Sequence, residues 1–134
     1  MSFKVRKYGF VGGSYGRCNE SRMIKELLKN GPFVVSFEPD YYFTLYKKGI
    51  YKTGPTGWLP NCLSKPEWQK VDHSVTLVGF GEEKIGGKQV KYWLLLNSWG
   101  HHWGEEGYFR MLRGEDHLGI ESICESGDPY IKFN

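Results

Sequence analysis

His73 and Asn97 are two polar residues whose types suit general-base chemistry. A catalytic imidazole needs one ring nitrogen aimed at its target and the other tied to a group that fixes its tautomer and orientation. The amide oxygen of Asn97 can accept the outer N–H of His73, which leaves the inner nitrogen to face a thiol and hold it as thiolate. Trp99 follows closely, and an indole packed over this hydrogen bond would exclude water. The residues therefore predict the basic half of a thiol-dependent site.

Two β-strands must position this pair, and they are predicted over 74–80 and 90–96 from their alternating, β-branched and aromatic content. The connection between them is rich in glycine, so the strands should form a hairpin. If its turn is centred near Ile85, antiparallel pairing places His73 opposite Asn97. The alternative is a structural histidine and a turn asparagine, because a slip of one residue would put the side chains on opposite faces.

A helix is predicted over residues 19–30, with Asn19 as its N-cap and Asn30-Gly31-Pro32 as its stop signal. Its predicted apolar face consists of Met23, Ile24, Leu27 and Leu28. Such a one-sided helix must pack against another part of the protein.

Other segments are less regular. Strands are predicted from Phe33 to Pro39 and from Tyr108 to Leu112, whereas the aromatic-rich stretch 41–51 has no clear type. Between residues 53 and 70 the chain has three prolines and little periodicity. This segment is predicted to be an exposed loop and a site for proteolytic processing.

The composition is that of one globular domain or a piece of one. Of 134 residues, 16% are aromatic and 18 are glycine, which favours a turn-rich fold with β-structure. The net charge is +3, and the 18 Lys and Arg residues are scattered among 15 acids. No apolar stretch reaches the length of a membrane span, and the N-terminus has no signal-peptide core. The chain is expected to be cytosolic or to have lost an upstream signal.

The cysteines and histidines give no metal motif. The cysteines are Cys18, Cys62 and Cys124. Their odd number and the lack of C-x-x-C spacing indicate neither a zinc site nor a closed disulfide framework. The adjacent His101 and His102 cannot easily bind one metal, and with His117 they are predicted to be solvated loop residues. No metal is predicted.

Several motifs resemble the papain family of cysteine peptidases. They are Val71-Asp72-His73-Ser74-Val75, Gly79-Phe80-Gly81, Tyr92-Trp93, Asn97-Ser98-Trp99-Gly100 and Trp103-Gly104-Glu105-x-Gly107-Tyr108-Phe109-Arg110. Other segments resemble the cathepsin C, or dipeptidyl peptidase I, branch of that family. They are Tyr15-Gly-x-Cys18-Asn-Glu20, Asn30-Gly31-Pro32, Tyr46-Lys-Lys-Gly-Ile-Tyr51 and Ile120-Glu-Ser-Ile123. The resemblance covers almost the whole chain, from Tyr8 to Ile123.

The resemblance implies a role for each matched residue. His73 would be the general base, Asn97 its orienting partner, Trp99 the shield and Trp103 a wall on the leaving-group side. Three more residues would border the S2 pocket, which takes the side chain two residues before the cut: Val71, Ser74 and Ile123. For the apolar members of this set, core packing is the alternative.

The nucleophile that the family uses is missing from this sequence. The family carries it in a C-G-S-C-W type segment at the start of a long helix, with a glutamine for the oxyanion hole, and neither is present. Cys18 is the only rival, because it precedes a predicted helix whose N-terminus favours a thiolate. Relatives, however, have a structural cysteine in the same context. Cys62 lies where relatives carry a disulfide cysteine, but Leu118 occupies the usual partner position, so its pairing, with Cys124 as one option, stays open.

The predicted fold class is α+β: residues 1–134 form the C-terminal, β-rich half of a papain-like peptidase, with a barrel-like antiparallel sheet and one N-terminal helix. The implied function is peptide hydrolysis by a cysteine-type dipeptidyl peptidase. This chain is expected to be one part of that enzyme and to be inactive by itself. A papain-like endopeptidase half and a non-catalytic homologue that binds peptides or partners are the alternatives.

The resemblance also implies partners and a location. The partners are an N-terminal helical half with the catalytic cysteine, an exclusion domain and a peptide or protein substrate, with a homo-oligomer as a further option. Neither nucleic acid nor membrane is expected as a partner. The implied location is the lysosome, another secretory or vacuolar compartment, or outside the cell. No organic cofactor is expected, and the chloride ion of this branch is in doubt because Phe10 stands where a tyrosine is expected before Val11-Gly12-Gly13.

Overall fold

The described part of the protein is built on one seven-stranded sheet. The computed structural model describes residues 2–52 and 71–132. Its strands are β1 Ser2–Phe10, β2 Phe33–Phe37, β3 Ile50–Tyr51, β4 His73–Ile85, β5 Lys88–Leu96, β6 Tyr108–Leu112 and β7 Ile123–Lys132. They lie in the order β1-β7-β2-β4-β5-β6-β3. Neighbouring strands are antiparallel except for the short β3, which runs parallel to β6. With helix α1 (Glu20–Asn30), the sheet confirms the α+β class.

Helix α1 has nearly the predicted boundaries. The side-chain oxygen of Asn19 accepts a hydrogen bond from the backbone N–H of Arg22 at 3.0 Å, which satisfies one of the donors left free at a helix start. The residues that the helix buries are Met23 and Leu27. Leu28 is 73% exposed, because each residue advances about 100° around the helix and Leu28 lies beyond the buried stripe. The apolar face is therefore narrower than predicted.

The hairpin of β4 and β5 is longer than predicted. The two strands continue until only Gly86 and Gly87 separate them. These residues have φ of 56° and 81°, the left-handed region that a tight two-residue hairpin turn requires. The turn is therefore this glycine pair and not the whole segment between residues 80 and 90.

Strands β1 and β7 are not predicted by the sequence pattern. They pair with each other over most of their length, with Phe3 opposite Ile131 and Tyr8 opposite Gly127. Nearly every residue of β1 is exposed, so this strand lacks the alternation between buried and exposed residues by which strands are recognised. The pairing joins the two ends of the described chain, so it forms only when the segments between them have folded.

The aromatic-rich stretch forms a 3-10 helix, Tyr41–Leu45, followed by β3. Phe43 on this helix is fully buried in the core. The largest side chains that share this core are Trp93, Phe37, Phe109, Met23, Leu77, Leu95 and Met111. The core thus lies on one face of the sheet, where side chains of α1 and of the 3-10 helix pack against those of the strands.

The predicted loop over residues 53–70, including its processing site, lies outside the described residues, as does Cys62. Among the residues that are described, no helix has the length and apolar character needed to cross a membrane.

Candidate active site

His73 and Asn97 meet at the ends of β4 and β5. His73 is the first residue of β4, and Asn97 follows the last residue of β5. The Nε2 atom of His73 lies 3.0 Å from Oδ1 of Asn97, within normal hydrogen-bond distance. Since an amide oxygen only accepts, Nε2 carries the proton in this arrangement and Nδ1 is left for another partner. The predicted contact is present in the structure.

The strand register that predicted this contact is wrong. A turn centred at Ile85 would place Thr76 opposite Leu94, but Thr76 lies opposite Leu96. The observed register differs by two residues, and a bulge near Gly79 shifts it again. A shift of two keeps each side chain on its predicted face. The contact survives because the side chain of Asn97 reaches His73 from beyond the end of β5.

Asn97 is held firmly from both its backbone and its side chain. Its backbone N–H donates to the carbonyl oxygen of Gly107 at 2.9 Å, and its Oδ1 also accepts from the backbone N–H of Ser98 at 2.8 Å. Only 6% of the residue is exposed. Its Nδ2 atom is buried and has no hydrogen-bond partner within the described residues. Because buried donors in folded proteins are nearly always paired, this atom marks a place where the site lacks an acceptor.

Aromatic rings surround the imidazole of His73. The ring of Trp99 lies 5.1 Å from it between centroids, tilted by 36°, and the ring of Phe37 meets it edge to face at 5.5 Å. Phe43 packs against both His73 and Trp99. Trp99 itself is 41% exposed, so it covers the imidazole from the solvent side. These contacts fix the ring plane and limit the access of water.

Trp103 lies beside Trp99. We call His73, Asn97 and the rings of Phe37, Phe43, Trp99 and Trp103 the His73 cluster. The two indole rings meet edge to face at 5.0 Å, and Nε1 of Trp103 donates to the carbonyl oxygen of Thr44 at 3.3 Å. The ring of Tyr46 packs against Trp103 at 5.5 Å. The structure therefore brings Trp103 next to the predicted His–Asn–Trp group.

A network of charged and polar groups holds the loop that carries both tryptophans. The carboxylate of Glu105 accepts from Nε of Arg110 at 2.9 Å, from its Nη2 at 2.7 Å and from the backbone N–H of Gly49 at 2.9 Å. The hydrogen bonds from Arg110 lower the pKa of Glu105 below its usual value, despite the opposing effect of burial. Burial raises the pKa of Tyr46 to about 12, and its hydroxyl donates to the carbonyl oxygen of Gly49 at 2.7 Å.

The predicted S2 residues lie on β4 and β7, the two strands on either side of β2, and just before β4. Ser74 is on β4 and its Oγ lies 3.0 Å from Oγ of Ser36 on β2. Ser36 lies opposite both Ser74 and Ile123 in the sheet register, so these two predicted residues flank it. Val71 is half-buried just before β4. Ser36 was missed because a serine inside a strand carries no distinctive spacing signal.

A shallow cavity of about 310 Å³ opens next to Asn97. It is lined by Val34, Ser74, Val75, Thr76, Leu96, Asn97 and Ser98. Of the predicted site residues it includes Ser74 and Asn97, but not Val71, Trp103 or Ile123. The alternation of the strands places Val34 and Leu96 on the sheet face opposite the core, whereas Val75 belongs to the core.

The structure also places Phe10 and the remaining histidines. Phe10, which stands where the resemblance expects a tyrosine, has no hydroxyl group and packs its ring edge to face against Tyr15 at 5.8 Å. In residues 2–52 and 71–132 no group of three or more His, Cys, Asp or Glu side chains could hold a metal ion. His101 and His102 are exposed as predicted, but His117 is buried, which corrects the prediction of a solvated residue.

Neither described cysteine belongs to the His73 cluster. Cys124 is buried on β7, and Cys18 is half-buried just before α1; both are free thiols. The ring contacts of His73 among the described residues are with Phe37, Phe43 and Trp99. Cys18 instead packs against the hydrophobic core that contains Cys124.

The β-rich fold and the His–Asn pair beneath a tryptophan have the form expected for a cysteine peptidase of the papain type. The sequence matches the family described as "Papain family cysteine protease" over residues 2–127. Because this match covers nearly the whole chain, the chain belongs to that family.

Within the family, the chain is similar to a dipeptidyl aminopeptidase and to a cathepsin C. It is 43% identical over 132 residues to dipeptidyl aminopeptidase 1 of Plasmodium falciparum, covering 88% of this chain and 19% of that protein. It is 44% identical over 124 residues to cathepsin C of Schistosoma mansoni, covering 92% of this chain and 26% of that protein. The chain thus spans about a quarter or less of these relatives.

The fold is also similar to that of solved papain-type structures. The digestive procathepsin L2 proteinase from the larval midgut of Tenebrio molitor superposes with a TM-score of 0.72 at 30% identity. The match covers 93% of this chain and 34% of that one. The papain-like fold predicted from the sequence is therefore confirmed.

Proposed function

We propose that this chain is the C-terminal, base-bearing half of a cysteine-type dipeptidyl peptidase. The observation that carries the proposal is the 3.0 Å contact between Nε2 of His73 and Oδ1 of Asn97 under the ring of Trp99. A histidine that donates one N–H to a fixed, buried acceptor presents its other nitrogen in a defined direction. That is the requirement for a general base.

In the proposed reaction the nucleophile comes from another part of the parent protein. Nδ1 of His73 takes the proton of a cysteine thiol, and the thiolate attacks the peptide carbonyl carbon. The protonated imidazole then gives a proton to the leaving amine, and water attacks the resulting thioester with His73 again as base. Asn97 can hold Nε2–H through every stage because its oxygen accepts from both the neutral and the charged ring.

The neighbouring side chains would support the reaction and the choice of substrate. Trp99 limits the access of water to the His–Asn hydrogen bond, and Trp103 offers an apolar wall for the leaving-group side. The S2 pocket would include Val71, Ser74 and Ile123, with the Ser36 hydroxyl beside Ser74. An S2 wall that carries two hydroxyl groups favours small or polar side chains over bulky apolar ones.

The missing N-terminal half would complete the sheet and the site. Residues Val34, Thr76, Leu96 and Tyr108 lie opposite one another across four strands and form one row on the sheet face away from the core. We call these four residues the open row. Three of them are large apolar residues that are 38% or more exposed. A docked partner half would cover this row and offer an acceptor to Nδ2 of Asn97.

Removal of dipeptides, the location and the assembly are further parts of the proposal. The names of the Plasmodium and Schistosoma relatives support a dipeptidyl peptidase over an endopeptidase. An exclusion domain elsewhere in the parent protein would capture the free amine of the substrate. A lysosomal, vacuolar or secreted location agrees with the cathepsin-type relatives, and processing between residues 53 and 70 would separate two chains of one enzyme.

The test uses the full-length parent protein and a dipeptidyl amide with a fluorescent leaving group. His73→Ala removes the base, so kcat/KM is expected to fall about 100- to 10,000-fold. His101→Ala, at an exposed histidine outside the cluster, is the matched control and should leave kcat/KM unchanged. Blocking the substrate's N-terminal amine should abolish turnover if the enzyme removes dipeptides.

Three results would contradict parts of the proposal. Near-normal turnover by His73→Ala would show that His73 is not the general base. Equal turnover of free and N-blocked substrates would indicate an endopeptidase. Thiol-dependent hydrolysis by the 134-residue chain alone would place the nucleophile inside it.

A further inference from the structure

Two thiols that lie far apart in the sequence are neighbours in the folded chain. Cys124 is on β7 opposite Val35, and its side chain is 1% exposed. Cys18 packs against the core that contains Cys124. The neighbouring Cys18 side chain, together with burial, raises the pKa of the Cys124 thiol. The Cys124 thiol donates to the carbonyl oxygen of Ile120, 3.8 Å from its Sγ.

The turn that precedes α1 brings Cys18 to this position. The backbone N–H of Val11 donates to the carbonyl oxygen of Cys124 at 2.9 Å, so the turn starts directly beside β7. A Cβ atom at Gly12 would lie 2.5 Å from the carbonyl oxygen of Arg17, so only glycine allows the chain to fold back this tightly. Cys18 follows Arg17 and therefore lies back near Val11, which is hydrogen-bonded to Cys124 on β7.

The start of α1 is also tied down after Cys18. The guanidinium of Arg22 donates to the carbonyl oxygen of Arg17, and Asn19 caps the helix. Further along, the hydroxyl of Ser126 on β7 donates to the carboxylate of Glu26 on α1 at 2.5 Å. The helix and the strand thus keep the two thiols together through contacts on both sides of them.

We propose that Cys18 and Cys124 form a disulfide that links the start of α1 to β7 when the protein folds in an oxidising compartment. This pairing differs from the option of Cys62 with Cys124 that the sequence leaves open. It lies apart from the His73 cluster and does not depend on the peptidase proposal. Any disulfide partner of Cys62 then lies outside this chain.

The chemistry needs a small-molecule disulfide as oxidant, for which oxidised glutathione serves. The half-buried Cys18 is the accessible thiol, so its thiolate attacks the oxidant, forms a mixed disulfide and releases one glutathione thiolate. The Cys124 thiolate then attacks the Cys18 sulfur and releases the second. Two protons and two electrons leave the protein, and one glutathione disulfide becomes two thiols. Since the pKa of Cys124 is raised, the second step should be faster at higher pH.

Peptide mapping of the full 134-residue chain tests the link. The Cys62→Ser variant is reduced, incubated with oxidised glutathione, alkylated and digested with trypsin without reduction. Cleavage after Arg17, Arg22, Arg113 and Lys132 gives peptides 18–22 and 114–132. Mass spectrometry should find these two joined, at their summed mass less two hydrogen atoms, in most of the protein. The same joined pair should appear in the chain that retains Cys62.

Several outcomes would overturn the proposal. They are alkylated Cys124 in most of the oxidised protein, glutathione retained on Cys18, and a link from either cysteine to Cys62. Thermal unfolding gives a second readout that does not depend on mapping. Because the link closes a loop of roughly 100 residues, oxidation should raise the Tm by about 10 °C. Cys18→Ser and Cys18→Ala should both remove this rise; a rise that persists in either would also refute the pairing.

Discussion

His117 differs from the exposed histidines in having a buried side chain. Its ring lies 6.4 Å from the ring of Tyr51. Burial lowers the pKa of His117 below its ordinary 6.5, because the charged form loses water. The carboxylates of Asp40 and Glu115 oppose this effect only in part, and Lys52 adds to it. The folded protein therefore binds a proton at this residue less readily than the unfolded chain does.

This difference predicts that stability falls on acidification. Since the pKa is lowered on folding, His117 does not affect stability well above pH 6.5, and stability is lost as the pH falls through 6.5 towards the folded-state pKa. We expect the free energy of unfolding of the wild-type chain to decrease between about pH 7.5 and about pH 5.5. His117→Gln should flatten this dependence, as measured by urea unfolding at several pH values.

The control for this experiment is His102→Gln, at an exposed histidine. It should keep the slope of the wild-type chain. If His117→Gln and wild type lose stability in parallel over this range, then other groups cause the dependence.

At the scale of elements, the loop between β5 and β6 matters most, because it carries Asn97, Trp99 and Trp103. Its backbone is closed by the hydrogen bond from Gly107 to the carbonyl oxygen of Trp103 at 2.8 Å. The carboxylate of Glu105 fastens the loop to β6 and to the segment before β3. The positions of both tryptophans thus depend on a residue that does not contact His73.

Replacement of Glu105 with Gln should loosen this loop. The variant loses the charge-assisted double hydrogen bond to Arg110, which is about a quarter exposed, so we expect a loss of about 1–2 kcal/mol in the free energy of unfolding. Urea unfolding near neutral pH measures this, because the hydrogen bonds from Arg110 lower the pKa of Glu105 and the carboxylate is charged there.

Glu106→Gln is the matched control, since it removes the same charge from an exposed neighbour. It should change stability by less than about 0.5 kcal/mol. Equal losses in the two variants would mean that the Glu105–Arg110 pair does not hold the loop.

At the scale of the whole molecule, the sheet has one face on the core and another that carries the open row. Antiparallel sheets often leave one face to water, but such a face is usually polar. Here Val34, Leu96 and Tyr108 stand in line beside the cavity next to Asn97. A surface of this kind is typical of an interface.

The isolated chain should therefore bind a hydrophobic dye and associate in solution. Leu96→Gln places an amide in the centre of the open row, so it should lower dye fluorescence severalfold and reduce the mass measured by light scattering. Leu28→Gln, on the exposed side of α1, is the control and should change neither. If the wild-type chain is monomeric and binds no dye, then the open row is not an uncovered interface.

Local pattern was enough to predict part of this molecule. The spacing of Asn19, the apolar residues after it and Gly31 predicted α1, and the alternating, β-branched content after His73 predicted β4 and β5. The contact of His73 with Asn97 was also predicted, although from a register that is wrong by two residues. These predictions succeeded because they depend on side-chain periodicity and on neighbours within one hairpin.

Other features were decided only by tertiary structure. Strands β1 and β7 exist because the two ends of the described chain pair, and no local alternation signals that. His117 is buried and Cys18 adjoins Cys124 because segments distant in sequence pack together. The sequence by itself determined the types of the chemical groups and their local elements. Only the fold decided which of them meet, because contacts between distant segments form when the loops that separate them are closed.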